Sequence, residues 1–164
     1  MGKHEEDVVK RWLTTVKGSA DQRWPGMLEN WHADATWHLI GKTHRSGMWR
    51  GLEGPGSIQE FMSRGRYGDG RPGPSVQGLS SEYGIRLEVD EVVSLVDGRV
   101  LVLCRSYGSG RNGVPYENEY AWLFTVRGDK IAALEEYCDT LTIEEAHFDK
   151  ELVPRGTTQP VYET

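Results

Sequence analysis

Cysteine is nearly absent from this chain: Cys104 and Cys138 are the two in 164 residues, both inside strand-like segments and without metal-type spacing. They read as buried free thiols of a cytoplasmic protein, with one disulfide between them as the alternative. No run of Lys or Arg forms a stripe and the net charge is -6, which argues against a nucleic-acid partner. No apolar stretch approaches the ~20 residues that span a bilayer. Residues 1–12 are charged and amphipathic, unlike a signal peptide. Nothing points to a metal site or a cofactor. What the chain does have is ring area. Six Trp and seven Tyr, with 37% hydrophobic residues, are enough for one domain with a substantial core.

Hydrophobic spacing divides the chain into elements. Val8, Val9, Trp12, Leu13 and Val16 recur at helical intervals and predict an amphipathic helix over about 4–17, stopped by Gly18. A second short helix is predicted over about 21–31, with Met27, Leu28 and Trp31 facing inward. Residues 33–40 alternate as a first strand, with Trp49-Arg50-Gly51 as its pairing partner. A third helix opens at Gly54-Pro55 and keeps Ile58, Phe61 and Met62 in step. Residues 65–84 then lose all period, with six Gly and two Pro, and read as a lid or a mobile surface excursion. A β-meander follows over 85–96, 99–107, 116–126 and 130–139, turning at Asp97-Gly98, around Arg111-Asn112-Gly113 and at Gly128-Asp129. A short helical turn is expected over 142–148, closing a domain of residues 1–150. Residues 151–164 form a polar tail, in which Leu152 to Gly156 looks like a thrombin-type linker and carries no function. Helices first and a long antiparallel sheet last mean an α+β fold. A twisted sheet of long strands curls, and helices across its mouth leave a blind cavity.

The segment Asp34 to Gly41, followed by Gly47, Gly51 and a helix, resembles the first half of SnoaL-like proteins. The segments Tyr116 to Tyr120, Phe124 to Ile131 and Glu136 to Thr140 resemble their second half more closely. The resemblance covers residues 5–148 in order of elements. It implies the cone-shaped NTF2-like fold, with N-terminal helices packed on a curved, mostly antiparallel sheet enclosing a pocket. Ketosteroid isomerases, polyketide cyclases, scytalone-type dehydratases and limonene epoxide hydrolases share this scaffold, so the fold leaves the reaction open. The resemblance also implies a homodimer paired through the outer sheet face, for which Val100, Val102, Cys104, Ala121 and Leu123 supply an apolar set.

Because side chains alternate across a strand, parity sorts the candidates. Leu101, Leu103, Arg105 and Tyr107 share one face of their strand. Asn118, Tyr120, Trp122 and Phe124 share another, as do Leu134, Glu136 and Cys138, and Trp37 with Leu39. Resemblance to the epoxide hydrolase branch puts the three meander sets on the concave side. It places Arg105 at a catalytic arginine and Glu136 at a catalytic aspartate. Tyr107 stands where that family has its second aspartate, so the Asp-Arg-Asp triad is incomplete. Leu39 falls where ketosteroid isomerases carry their catalytic aspartate, which counts against steroid isomerisation by the familiar residues.

Arg105 ends the apolar run from Val100, where a charge is costly unless paired, and Glu136 is its natural partner. The pair reads either as a buried structural ion pair or as a carboxylate base held by an arginine. Burial raises such a carboxyl's pKa and the arginine lowers it. Tyr107, Asn118 and Tyr120 would supply donors to a developing enolate or alkoxide, each worth ~2.7–4 kcal/mol when well placed. An Asn inside an aromatic-rich strand needs a hydrogen-bonding reason, structural or functional. Asp139 reads as the cap of the following helical turn, with a role as general base the alternative. His38 has the opposite parity and reads as a surface or interface histidine.

Three functions fit. The leading one is a cofactor-independent acid–base enzyme of the isomerase, cyclase or dehydratase type, acting on a small apolar or aromatic substrate. In it Glu136 moves the proton, Arg105 positions it, Tyr107 and Asn118 stabilise charge, and Trp37, Leu39, Leu103, Tyr120 and Trp122 line the pocket. The second is an epoxide hydrolase-like enzyme with a modified triad. The third is a non-enzymatic binding or dimeric adaptor module.

Overall fold

The computed structural model describes residues 2–16, 27–43, 45–63, 86–109, 114–148, 150, 151 and 153. The Gly-rich segment 65–84, the turn at Arg111-Asn112-Gly113, His44 and nearly all of the tail lie outside these residues. Helix α1 (Lys3–Val16) buries Val8, Val9, Trp12 and Leu13 along one face, as its spacing predicts. Its first turn is tied down by Glu6, which accepts hydrogen bonds from the Ser94 backbone and hydroxyl and pairs with Lys10 one turn on.

Strands β1 (Trp31–Leu39) and β2 (Gly47–Arg50) form an antiparallel pair with Trp37 opposite Trp49. Helix α2 (Ile58–Ser63) follows. The meander is β3 (Arg86–Ser94), β4 (Val100–Ser109), β5 (Pro115–Arg127) and β6 (Lys130–Cys138), closed by helix α3 (Thr140–Phe148). Gly98 and Gly128 take the positive φ that their tight turns require. The predicted helix over 21–31 is corrected at its end. Met27–Glu29 make one helical turn, but Trp31 already belongs to β1, where its indole stacks on that of Trp37.

The six strands lie in the order β2-β1-β6-β5-β4-β3, antiparallel except between β1 and β6, which run parallel. This curved sheet with helices against it is the α+β cone architecture the sequence predicts. The core between α1 and the sheet is built on aromatic rings. Trp12 sits at its centre with ring centroids 5.7 Å from Trp31, 5.6 Å from Trp122 and 5.2 Å from Phe124, all edge-to-face. Each such pair is worth ~0.5–1.5 kcal/mol beyond the area it buries. The cluster therefore fixes where α1 docks. No described helix is long and apolar enough to cross a membrane.

The parity groups hold on every strand. Trp37 with Leu39 and the sets of β5 and β6 face inward, but the concave side that the resemblance implied for the β4 set is inverted. Val102, Cys104 and Ser106 pair with Trp122, Tyr120 and Asn118, and this set faces the core. Leu101, Leu103, Arg105 and Tyr107 therefore point to the outer face, and Leu103 is 37% exposed. Val100, Val102 and Cys104, expected on the outside, are buried. The physical reason is that residues 100–104 are apolar on both faces, so alternation carries no direction there.

Candidate functional site

Glu136 is the centre of the inner face. It lies on β6 between Leu39 of β1 and Trp122 of β5 in the strand registers, and is 6% exposed. The Trp37 indole N–H donates to its Oε2 at 2.5 Å. Among the described residues no hydrogen bond reaches its Oε1. Burial raises the carboxyl to about 7, against the pull of the Trp37 bond, the positive charge of Arg45 and the indole of Trp122. The Trp122 N–H lies outside hydrogen-bond geometry and is buried without a partner among the described residues.

The expected partnership of Glu136 with Arg105 is not formed. Arg105 holds Asp90 on the outer face through two hydrogen bonds, Nε to Oδ2 at 3.1 Å and a terminal nitrogen to Oδ1 at 2.7 Å. That pairing raises the arginine's pKa and lowers the aspartate's. Tyr107 lies beside it under the guanidinium of Arg86, with its ring centroid 5.1 Å from that group. Leu103, expected to line the pocket, is on the same outer face. The arginine and tyrosine implied by the epoxide hydrolase resemblance thus point away from the acid. The one-residue inversion of β4 accounts for all three displacements.

Asn118 and Tyr120 are on the inner face, in a polar cluster that also contains Tyr116 and Ser106. The Tyr116 and Tyr120 hydroxyls are 2.5 Å apart, Ser106 donates to the Tyr120 oxygen at 3.0 Å, and Asn118 donates to that of Tyr116 at 3.2 Å. Burial pushes Tyr116 up to about 12 and Tyr120 well above its ordinary value, so both stay protonated donors at neutral pH. Tyr120 lies two positions from Trp122, the residue opposite Glu136, and diagonal neighbours of that kind are ~7–8 Å apart.

Asn118 has its hydrogen-bonding reason. Its amide also donates to the Asp139 carbonyl at 2.9 Å, and its carbonyl accepts the Asp139 N–H at 2.9 Å. Both amide hydrogens are spent, which corrects the expectation of Asn118 as a donor to a ligand. It acts as a strut between β5 and the start of α3. Asp139 itself caps α3, its Oδ1 accepting the N–H groups of Leu141 and Thr142. Its carboxylate is thereby engaged in the cap, as the first reading expected. His38 is half-buried between Met48 and Glu135 in the strand registers, on the opposite face from Trp37 and Leu39.

The site also holds a residue that pattern reading passed over. Arg45, in the loop after β1, is buried, and burial lowers its pKa while the charge of Glu136 raises it. A terminal guanidinium nitrogen donates to the Phe61 carbonyl at 2.6 Å, and the guanidinium lies 4.6 Å from the Phe61 ring centroid. Loop position gave no periodicity by which to find it. Tyr116, by contrast, was legible, being one further step along the Asn118, Tyr120, Trp122 parity set. Cys104 and Cys138 are free thiols, and burial raises both well above the usual thiol range, so neither is a ready nucleophile.

No protein-family model matches the chain, and no curated protein matches it. Solved structures do. Bal32a from a soil-derived mobile gene cassette superposes with a TM-score of 0.67 at 18% identity, over 89% of this chain and 98% of that one. An NTF2-like protein from Anabaena variabilis gives 0.61 at 25% identity, over 82% and 89%. A candidate SnoaL-like polyketide cyclase from Jannaschia gives 0.62 at 15% identity, over 92% and 95%.

Proposed function

The chain has the NTF2-like fold, and on that scaffold we propose that it is a cofactor-independent acid–base enzyme of the isomerase, cyclase or dehydratase type, acting on a small, largely apolar or aromatic molecule. One observation carries this reading: a carboxyl group buried at the centre of the inner face and held there by an indole N–H, where burial pushes its pKa up to about 7. A group half ionised at neutral pH can both take and return a proton within one turnover. Trp37 orients one of its oxygens. Tyr116 and Tyr120, hydrogen-bonded to each other on the same face and supported by Ser106 donating to Tyr120, are suited to stabilise negative charge on a substrate oxygen through one hydroxyl. The rings of Trp37, Trp122 and Phe124 make the surroundings of Glu136 apolar. In this reading Glu136, Tyr116 and Tyr120 act on the substrate. Arg105 and Tyr107 take no part.

Proton abstraction next to a carbonyl is common to isomerisation and aldol-type cyclisation, so one assay covers both. The protein is incubated in D2O with a panel of small cyclic and aryl ketones, and α-hydrogen exchange is followed by proton NMR. Exchange above buffer that falls at least ~100-fold in Glu136→Gln is expected. Exchange that persists in that variant overturns the assignment of Glu136. Ligand binding without exchange by the wild type supports a binding module instead.

We further propose a homodimer through the outer sheet face. Leu101 faces Leu123 across the β4–β5 pair there, and Leu103, Ala121 and Tyr137 lie in one row across three strands. Leu103 and Tyr137 are 37% and 45% exposed, and it is their contiguity with Ala121, not the exposure of either alone, that suits an interface.

A further inference from the structure

Arg45 is linked to the acid through Phe61 and Trp37. A stitched turn presents it inward: the Thr43 hydroxyl accepts the N–H groups of Arg45 at 3.2 Å and Ser46 at 3.1 Å, and the Thr43 N–H donates to the Ser46 hydroxyl at 3.0 Å. The Arg45 carbonyl accepts the Trp49 indole N–H at 3.3 Å, fixing the backbone from the β2 side. The guanidinium is seated on Phe61, ring and carbonyl together. The Phe61 ring centroid is 4.9 Å from that of Trp37, whose N–H holds Glu136. A guanidinium is costly to bury, and anchoring on this many sides holds its charge in place within the core.

The other groups facing Glu136 do not supply charge. On β4 and β6 the titratable neighbours are Cys104 and Cys138, and on β5 they are Tyr116 and Tyr120, all uncharged at neutral pH. The inner residues of β1, α1, α2 and α3 are apolar: Trp37 and Leu39, Val9 and Trp12, Phe61, and Ile143. Among the described residues Arg45 is the cation whose field acts on the acid.

We propose that Arg45 is a positioning residue for Glu136: seated on Phe61, its guanidinium maintains the ionised form of the acid inside an apolar site and so sets the pH at which the site can accept a proton. The proposal rests on the reading of Glu136 as the proton-transfer group only for its consequence in turnover. The electrostatic coupling exists in the resting protein and is measured there.

The test is infrared titration of the protein with carbon-13-labelled glutamate. The Glu136 band is identified as the one missing from Glu136→Gln. An opposite charge near a carboxylate typically holds its pKa down by ~1–3 units, so in Arg45→Met the Glu136 midpoint should rise by about one pH unit or more. Arg45→Lys, which keeps the charge, should stay within about half a pH unit of wild type. If Arg45→Met does not fold, Arg45→Gln serves, because it is neutral and can still donate to the Phe61 carbonyl. A neutral variant whose midpoint stays within about 0.3 pH unit of wild type overturns the proposal, as does a Lys variant shifted as far as the neutral one. Where ketone exchange is measurable, the neutral variant should lose about fivefold at pH 7 and recover by pH 9. This follows from an ionised fraction falling from about one half to about one tenth. Failure of exchange in the wild type would remove the enzymatic reading and leave the titration result standing.

Discussion

Replacing Glu136 by Gln should make the protein's stability less sensitive to pH, by an amount the site itself sets. The carboxyl rises from an ordinary 4.5 to about 7 on folding. Below pH 4.5 the group is protonated in both folded and unfolded chains and costs nothing. Between 4.5 and 7 the folded state holds a proton that the unfolded chain has released, so stability falls as pH rises. Above 7 both are ionised and the loss is complete. At ~1.36 kcal/mol per pH unit, the wild type forfeits about 3 kcal/mol across that window. Gln has no proton to lose. It also brings an amide that must find a partner, at a cost of ~1–3 kcal/mol if it does not, but that cost is the same at every pH. The discriminating quantity is therefore the change with pH in the difference between the two proteins, to which every other titrating group contributes equally. Urea unfolding followed by tryptophan fluorescence at pH 4.5 and pH 8, at matched ionic strength, measures it. The variant should gain about 3 kcal/mol on the wild type between those conditions, or roughly 6–12 °C in Tm for a domain of this size. Parallel stability curves would refute the burial of an ionisable Glu136, and the proposed chemistry with it.

Two further outcomes follow from the placement of β4. Arg105→Ala should leave the ketone exchange rate within about twofold of wild type and the urea midpoint unchanged, because its pairing with Asp90 is exposed to solvent; a loss of activity comparable to that of Glu136→Gln would mean that β4 turns its other face to the site. Leu103→Glu, which places a charge in the apolar outer patch, should convert a dimer to monomers of 18.5 kDa in sedimentation equilibrium; a wild type already monomeric at micromolar concentration would remove the dimer proposal.

Most of the fold was legible because its elements are strongly patterned. The helical spacing of α1 and the Asp-Gly and Gly-Asp turns of the meander are local signals, and the structure places both where the sequence does. The inner set of β5 was legible because its outward neighbours Glu117, Glu119 and Thr125 are polar, so the strand has a wet and a dry side. Around Val100 to Cys104 no such contrast exists. There the direction is decided by register with β5, a tertiary fact, and reading it from a resemblance placed Arg105 on the wrong face. Glu136 was found because parity puts it, and not its neighbour Glu135, on the face of Leu134 and Cys138, and because the resemblance sets it at a catalytic acid. Arg45 was not, since a basic residue in a polar loop looks like any surface charge until Phe61 is seen to receive it. The cap at Asp139 was readable from its neighbours alone. The strut that Asn118 makes to it joins positions 21 residues apart, and nothing local announces it.

The parallel seam between β1 and β6 also orders events in time. Trp37 and Glu136 are separated by 99 positions, so a chain made from its N-terminus leaves one edge of β1 unpaired long before the strand that pairs with it exists. Until β6 arrives, β1 can pair only with the short β2, and its free edge is open to other chains. Closing so long a loop makes this pairing slow relative to the hairpins of the meander, which need only their neighbours. The acid and the indole that orients it therefore meet in one of the last steps of folding. A truncated or stalled chain would present a sticky half-sheet rather than a weakened site.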